Sequence, residues 1–291
     1  MSQFLQALLS GVLVGGVLGL VSMGLSLVFG VVRIVNFAHG ELVMLGMYGT
    51  FVLYSGMAIP PPFSMLIVAP LLFVFGMLLY RVLFEPVVTA STELLPQLSL
   101  TVGISFALQT IAQWVFSPTQ RSIQVSWATT YYNVGDVFIN EAQLIAFFVS
   151  LGVSLLLWYF LARTDVGRAM RAIVDDREVA QMMGINSRRI YAVAVGTSAA
   201  LAAVGGNILM TYYPTFPHVG LQFLPLAFVA VVMGGMGNVL GAFLGGIIVG
   251  IVQQMTGVYV AYQLQNAGLM LVFIAVLLLR PSGLFGKEGS L

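Results

Sequence analysis

The chain has 291 residues, of which 59% are hydrophobic and only 7% are charged, and its net charge is +1. A soluble domain carries roughly 25% charged residues, so this composition excludes a protein whose whole surface faces water. The small net charge gives no reason to expect a nucleic-acid partner, and the absence of cysteine excludes disulfides and thiolate metal sites.

Long apolar runs follow one another along the chain, separated by clusters of charge. Each spanning helix needs about 20 apolar residues, whereas transmembrane strands alternate apolar and polar residues. The predicted fold is therefore all-α, a polytopic integral membrane helical bundle of about eight to ten transmembrane segments with discontinuous helices, forming a single domain over residues 1–291. The predicted spans are Phe4–Val32, Gly40–Met57, Phe63–Tyr80, Gln97–Phe116, Ala142–Leu161, Ile190–Thr211, Leu224–Met233, Asn238–Met255 and Tyr262–Leu279.

Two of these spans have unusual lengths. Phe4–Val32 is longer than one bilayer crossing, so we expect it to be tilted or broken within Gly15–Gly19. Leu224–Met233 is too short to cross and is predicted to be half of a discontinuous helix. The interruptions at Asn36–Gly40 and Gly234–Asn238 suggest a weak internal repeat, and matching interruptions in the two halves of a transporter indicate its transport path.

Lysine and arginine determine the predicted orientation, because they are enriched in cytoplasmic loops. With Arg163–Arg189 in the cytoplasm, counting the predicted crossings leaves only Arg121 outside. The N-terminus is then outside and the C-terminus inside. The other basic residues that fall on the cytoplasmic side are Arg33, Arg81, Arg280 and Lys287.

The most polar segment, Thr164–Arg189, is predicted to be an amphipathic helix along the cytoplasmic surface, because it is too polar to span a membrane. Thr164 or Asp165 can cap its start, and Gly184 suits the left-handed residue just past its end. Such a helix is either a docking site for a cytoplasmic partner or a loop whose arginines only fix the orientation.

The same segment carries a resemblance to a known family. Asp176–Ala180 followed by Gly184 resembles the cytoplasmic coupling loop of ATP-binding-cassette (ABC) importer permeases, whose pattern is Glu-Ala-Ala with a later glycine. Val179 departs from that pattern, standing where the first alanine is expected. The stretches that look like branched-chain amino acid permeases of the LivH type, in the order of that family, are Val35–Gly46, Gly167–Ile185, Val232–Gly246 and Arg280–Gly286.

The resemblance implies a permease that imports leucine, isoleucine or valine across a bacterial inner membrane. It implies a second permease subunit, expected to be a different chain, two cytoplasmic ABC ATPases and an extracytoplasmic substrate-binding protein. It implies no enzymatic activity, no cofactor, and no catalytic or metal-binding residue. Within the coupling loop 164–189, the implied ATPase-coupling residues are Arg168, Arg171, Asp175, Asp176, Arg177, Glu178, Ala180 and Gly184.

The residues themselves also indicate that energy comes from another subunit. An ATPase loop needs Gly-x4-Gly-Lys-Ser/Thr, and the only lysine, Lys287, is followed by Glu288. By the predicted topology almost every ionisable group lies in a loop or at a helix end, so an intramembrane proton relay is not expected. The alternatives are a same-family permease for urea or short amides, a self-sufficient secondary carrier, and a channel.

A cytoplasmic gate is predicted at and just after the first interruption. Asn36 could cap the helix that follows, and Glu41 would complement the positive end of that helix. Together with His39 they form the hypothetical gate. His39 and His218 are the only histidines, and the predicted topology places them on opposite sides.

Polar residues within the spans are further pathway candidates. Ser105, Gln109 and Gln113 recur at one-turn spacing, so this stripe either lines a water-filled route or bonds neighbouring helices. The full set of predicted gate and pathway residues is Asn36, His39, Glu41, Ser105, Gln109, Gln113, Asn207, Gly234, Gly235, Gly237 and Asn238.

Glycines spaced four residues apart form two small-residue faces, one at Gly11, Gly15 and Gly19 and the other at 237, 241 and 245. Small residues at this spacing let helix backbones approach closely. The faces therefore pack either within the subunit or against a second permease.

Overall fold

The computed structural model describes residues 2–90, 94–135 and 137–286, and within them nearly every segment is helical. Seven helical segments of these residues are long and apolar enough to span a membrane, which confirms the polytopic helical fold. The predicted position of Lys287 lies outside the described residues. The helices are α1 (Ser2–Val32), α2 (His39–Met57), α3 (Pro61–Leu79), α4 (Glu85–Ala90), α5 (Leu94–Phe116), α6 (Glu141–Arg163), α7 (Asp165–Asp175), α8 (Arg177–Met182), α9 (Ser187–Leu209), α10 (Gly220–Gly234), α11 (Val239–Tyr259) and α12 (Gln265–Leu279).

Helix α1 is continuous over its 31 residues, so of the two predicted alternatives, a tilted helix or one broken within Gly15–Gly19, the break is wrong. Its glycines pack against the backbone of α11: a Cβ on Gly15 would lie 2.7 Å from the Cα of Ile247, and one on Gly11 would lie 2.6 Å from the Cα of Ile251. The glycines therefore allow a close helix pair and do not kink the chain. Of the two predicted uses of this face, the structure shows packing within the subunit.

We expect Gly15→Val to lower the melting temperature of the detergent-solubilised protein by about 6 °C. The new side chain has no room against α11, and overpacking of this kind costs about 1–3 kcal/mol. Differential scanning fluorimetry measures the change. Gly103→Val is the matched control, because nothing lies within 4 Å of a Cβ at that helical position. Equal melting temperatures for the two variants would contradict the prediction.

Helix α2 starts inside the bundle and not at its edge. The ring of its first residue, His39, donates from Nε2 to the carbonyl oxygen of Val21 (2.9 Å), and its Nδ1 lies 3.3 Å from Ser198 Oγ. Ser198 is the middle residue of α9, so α2 begins halfway along that helix. Its far end reaches the loop after α5, where Tyr54 donates to the carbonyl oxygen of Gln124.

Helix α10 also starts inside the bundle and runs the opposite way. Its first residue, Gly220, lies against Gly40 of α2, and eight residues later the ring of Phe228 packs against that of Phe37 at 5.4 Å between centroids. The N-termini of α2 and α10 therefore meet head to head. The prediction of a half-helix near Leu224–Met233 is confirmed, with its start moved to Gly220.

The predicted repeat paired the wrong interruptions. The stretch 234–238 is a turn joining α10 to the antiparallel α11, and a Cβ on Gly234 would clash with the backbone of Gly241. The interruption that matches 33–38 is instead 210–219, since each of the two precedes a helix that begins inside the bundle. We call these two helices, α2 and α10, the half-helices. Hydropathy alone hides this match, because 210–219 reads as an ordinary external loop.

The two ends of the bundle differ in charge, as the predicted orientation requires. At the end we call inner, which carries α7 and α8, Arg188 pairs with Glu85 (3.4 Å) and Arg177 lies over the ring of Tyr191. The outer end carries the hairpin of β1 (Tyr131–Val134) and β2 (Val137–Asn140). There the backbone of Arg121 pairs with Thr215.

Candidate functional site

The central feature of the bundle is a buried carboxylate at the junction of the two half-helices. Glu41, in the first turn of α2, is 1% exposed. Its Oε1 accepts hydrogen bonds from Gln109 Nε2 (2.7 Å) and Ser105 Oγ (3.1 Å) of α5. Its Oε2 is buried and has no hydrogen-bond partner among the described residues. A Cβ on Gly220 would lie 2.9 Å from the Glu41 carboxyl carbon, so this carboxyl group faces the start of α10.

This position corrects one prediction and agrees with another. Glu41 was expected near the cytoplasmic boundary, whereas it is buried inside the bundle, because α2 begins beside the middle of α9. It was also expected at the positive end of the helix, and it lies in the first turn of α2. A buried charge is costly unless it is compensated, and here two helix N-termini, each with roughly half a positive charge, lie beside the carboxylate.

The polar stripe of α5 bonds neighbouring helices in this structure. Gln109, which donates a hydrogen bond to Glu41, also accepts one through its Oε1 from His218 Nδ1, at 3.0 Å. The other ring nitrogen of His218 lies 2.7 Å from Gln113 Nε2, and both distances fit a neutral ring that donates from Nδ1 and accepts at Nε2. The result is one chain of hydrogen bonds from Glu41 through Gln109 and His218 to Gln113.

His218 is a site residue that the sequence analysis missed. It lies two residues before Gly220, in the stretch 210–219 that enters the bundle from the outer end. The prediction that His39 and His218 lie on opposite sides is wrong, since both lie within two residues of the half-helix starts, which are in contact. One feature of the sequence could have indicated it. The predicted span after His218 is too short for a full crossing, so the residues before that span had to lie inside the bundle.

Asn36 does not cap α2 as predicted. Its Oδ1 accepts from the backbone amide of Ala38 (3.0 Å), which closes a turn one residue ahead of the helix, and the N-cap residue Ala38 has no side chain that could bond the first turn. Asn36 thus shapes the re-entrant segment.

Asn207 lies further out, where its Nδ2 donates to Thr50 Oγ1 and Ser64 Oγ, both at 2.7 Å, and ties α9 to α2 and α3.

The turn 234–238 lies at the inner end, away from the junction. Gly235 and Gly237 have φ angles of 96° and 81°, which favour glycine. Asn238 caps α11 by accepting from Gly241 N (3.0 Å), and its Nδ2 donates to the carbonyl oxygen of Phe285 (2.9 Å). The turn is therefore closed by the C-terminal stretch 280–286.

The segment 164–189 forms two helices, so the prediction of a single amphipathic helix is wrong. Thr164 caps α7 by accepting from Gly167 N, and Asp176 caps α8 by accepting from Glu178 N (2.8 Å) and Val179 N. The second cap ends the first helix because Asp176 takes an extended backbone. Gly184 has a φ of 85°, as predicted for the residue beyond a helix end.

Most predicted coupling residues in this segment are exposed to solvent, with Ala180 as the exception. Ala180 is buried in an apolar cluster with Tyr80 and Tyr191, which holds α8 against the inner ends of the spans. The outward face of α8 continues into Met182 and Met183, each 78% exposed. The exposed side of α8 therefore combines the apolar side chains of Met182 and Met183 with the charged side chains beside them. The solvent-exposed predicted coupling residues are Arg168, Arg171, Asp175, Asp176, Arg177, Glu178 and Gly184.

Comparison with known proteins relates the chain to transport permeases over nearly its full length. The sequence model of the family described as "Branched-chain amino acid transport system / permease component" matches residues 7–279. The chain is 30% identical to the high-affinity branched-chain amino acid transport system permease protein LivH of Escherichia coli K12, over 98% of this chain and 96% of that protein.

Two further relatives cover similar lengths. Identity is 31% to the high-affinity branched-chain amino acid transport system permease protein BraD of Pseudomonas aeruginosa, over 98% of this chain and 96% of that protein. It is 26% to the probable branched-chain amino acid transport permease protein LivH of Methanocaldococcus jannaschii, over 95% and 91%. No solved structure matches the chain.

Proposed function

Because the chain belongs to the family of branched-chain amino acid transport permeases, we propose that it is the membrane-spanning subunit of an ABC importer for leucine, isoleucine and valine. The observation that carries this proposal is the similarity of the chain, over 98% of its length, to high-affinity permeases of that substrate class. It works in the cytoplasmic membrane, which in a bacterium is the inner membrane. Its family is one of transport components and not of enzymes.

Energy enters through the α7–α8 segment, where one of the two partner ATPases docks. The exposed methionines and charges of α8 support this assignment, as does the buried Ala180. The apolar cluster that contains Ala180 also contains Ala38, the residue before α2, and Ile104 and Leu108 of α5. Movement of α8 therefore has a packed route to the helices that hold Glu41.

The transport path passes the junction of α2 and α10. Discontinuous helices that meet near the bilayer centre are where transporters place substrate. We assign Glu41 and the α5 stripe to the path, and Asn36 and His39 to its inner gate. The turn 234–238 supports α10 from the inner end. A second permease completes the path, and a binding protein delivers the amino acid at the outer end.

The proposed function is tested with proteoliposomes that contain this chain, the co-purified permease and ATPases, and the binding protein. We expect uptake of labelled leucine with ATP inside the liposomes and none with a non-hydrolysable ATP analogue. Omitting the ATPases is the second control and should give the same loss. Uptake driven by an ion gradient alone, passive flux, or import of urea but not leucine would contradict the proposal.

A further inference from the structure

We propose that Glu41 and the facing N-termini of α2 and α10 form the site at which the permease itself holds an amino acid during translocation. The free carboxylate oxygen of Glu41 binds the ammonium group of the substrate, and the helix N-termini bind its carboxylate. This inference rests on the proposed function, because it names the atoms that recognise that substrate.

The unpaired oxygen of Glu41 is the first observation. Both carboxylate oxygens are shielded from solvent, yet only Oε1 accepts hydrogen bonds from the described residues. A buried acceptor without a donor is unfavourable, and a charged donor gives the strongest hydrogen bond to it. The ammonium group of an amino acid supplies such a donor.

The two helix starts are the second observation. Helix N-termini bind carboxylates through their amide groups and the helix dipole, and α2 and α10 bring two N-termini to one point. Among the first-turn amides, those of Gly40 and Gly220 make no bond to a backbone carbonyl of the described residues. The first-turn amides that do make such a bond include those of His39, Glu41, Leu221 and Gln222. Both helices begin with little side-chain bulk at the contact: a Cβ on Gly220 would lie 2.6 Å from the carbonyl carbon of Gly40. In this structure the two helices are in contact, so substrate enters only after they separate.

Helix α5 covers the site and is only partly enclosed by the rest of the chain. Only 28% of its spanning residues are buried, and Trp114 and Phe106 are largely exposed. Its hold on Glu41 consists of the hydrogen bonds from Ser105 and Gln109. When α5 withdraws, Oε1 loses these donors, and the ammonium group of the substrate, bound at Oε2, takes their place on Oε1 as well. The same motion also breaks the bond between Gln109 and His218.

The inner side of the site suits an aliphatic side chain. The rings of Phe37 and Phe228 pack together at 5.4 Å, and both are partly exposed. Phe37 lies four residues before Glu41, and Phe228 lies eight residues after Gly220. A zwitterion with a branched apolar side chain therefore matches the site in both its charged and its apolar parts. Urea carries no charge for Glu41 to bind.

The test maps photo-leucine, a leucine analogue with a diazirine group, in the complete importer trapped with a non-hydrolysable ATP analogue. We expect labelled peptides that contain residues 37–41 and 218–228, with labelling reduced by excess leucine. Glu41→Gln keeps the size of the side chain and an acceptor for Ser105 and Gln109 but removes the charge. It should lower both labelling and leucine uptake at least tenfold, while ATP hydrolysis stimulated by the binding protein persists.

Glu141→Gln, the same change in the first turn of α6 at the outer end, is the matched control and should label as the wild type does. Normal leucine uptake and labelling by Glu41→Gln would overturn the site alone. Wild-type import of urea but not leucine would overturn both the site and the proposed function. If Glu41→Gln does not assemble, Glu41→Asp decides: at least threefold weaker labelling supports the site, and unchanged labelling overturns it.

Discussion

Replacing Gly220 with alanine is expected to reduce leucine uptake by the assembled importer at least tenfold. The added methyl group would lie 2.6 Å from the Gly40 carbonyl carbon, 2.7 Å from its oxygen and 2.9 Å from the Glu41 carboxyl carbon. The Gly40 atoms are backbone and cannot rotate away, so the two half-helices must move apart. The hydrogen bonds of Glu41 to α5 then lose their geometry. Uptake in proteoliposomes measures the effect, with protein amount normalised by size-exclusion chromatography.

Gly152→Ala is the matched control, because a Cβ at that helical position meets nothing within 4 Å. Alanine stabilises a helix relative to glycine wherever there is space, so this variant should keep or gain thermal stability and transport normally. If Gly220→Ala transported as well as Gly152→Ala, the close contact of the two half-helices would have no functional role.

The second large effect is expected on α8. The double variant Met182→Asp, Met183→Asp should abolish co-purification with the ATPases and ATP-driven uptake, while insertion and melting temperature stay near those of the wild type. Both side chains are 78% exposed, so the fold does not depend on them. An interface that buries them would have to desolvate two new carboxylates, which costs several kcal/mol unless they are paired.

Met57→Asp is the control for the charge change itself, because Met57 is 70% exposed and lies at the far end of α2. It should leave ATPase association unchanged. Retained association in the double variant would show that the partner ATPases dock elsewhere, and the assignment of α8 would then fail.

The two predictions examine opposite ends of one packed route. Ala180 connects α8 to the apolar cluster of the inner end, and the same cluster includes Ala38 and Ile104 beside the central junction. Loss of the ATPases at α8 should therefore also abolish labelling at Glu41, because the site opens only in the assembled importer, whereas a change at Gly220 should disturb labelling without releasing the ATPases. Measuring both readouts on both variants separates docking from substrate handling.

The sequence by itself determined the class of the protein. A chain with so few charges cannot cover its surface in water, and apolar runs of about 20 residues form helices in lipid because every backbone group must be bonded internally. The arginines at 163–189 and the single external Arg121 indicated the orientation. The stripe Ser105, Gln109 and Gln113 was visible as helical spacing, since that periodicity is local.

Only the tertiary structure decided where these residues lie. Hydropathy reports how apolar a segment is but not how deep it begins, so Glu41 read as a residue at the membrane boundary and His218 as part of an external loop. The segments 33–38 and 210–219 return into the bundle because polar backbone there is enclosed by neighbouring helices. That enclosure depends on contacts between residues such as Gly40 and Gly220, which are 180 positions apart, and no local pattern records it.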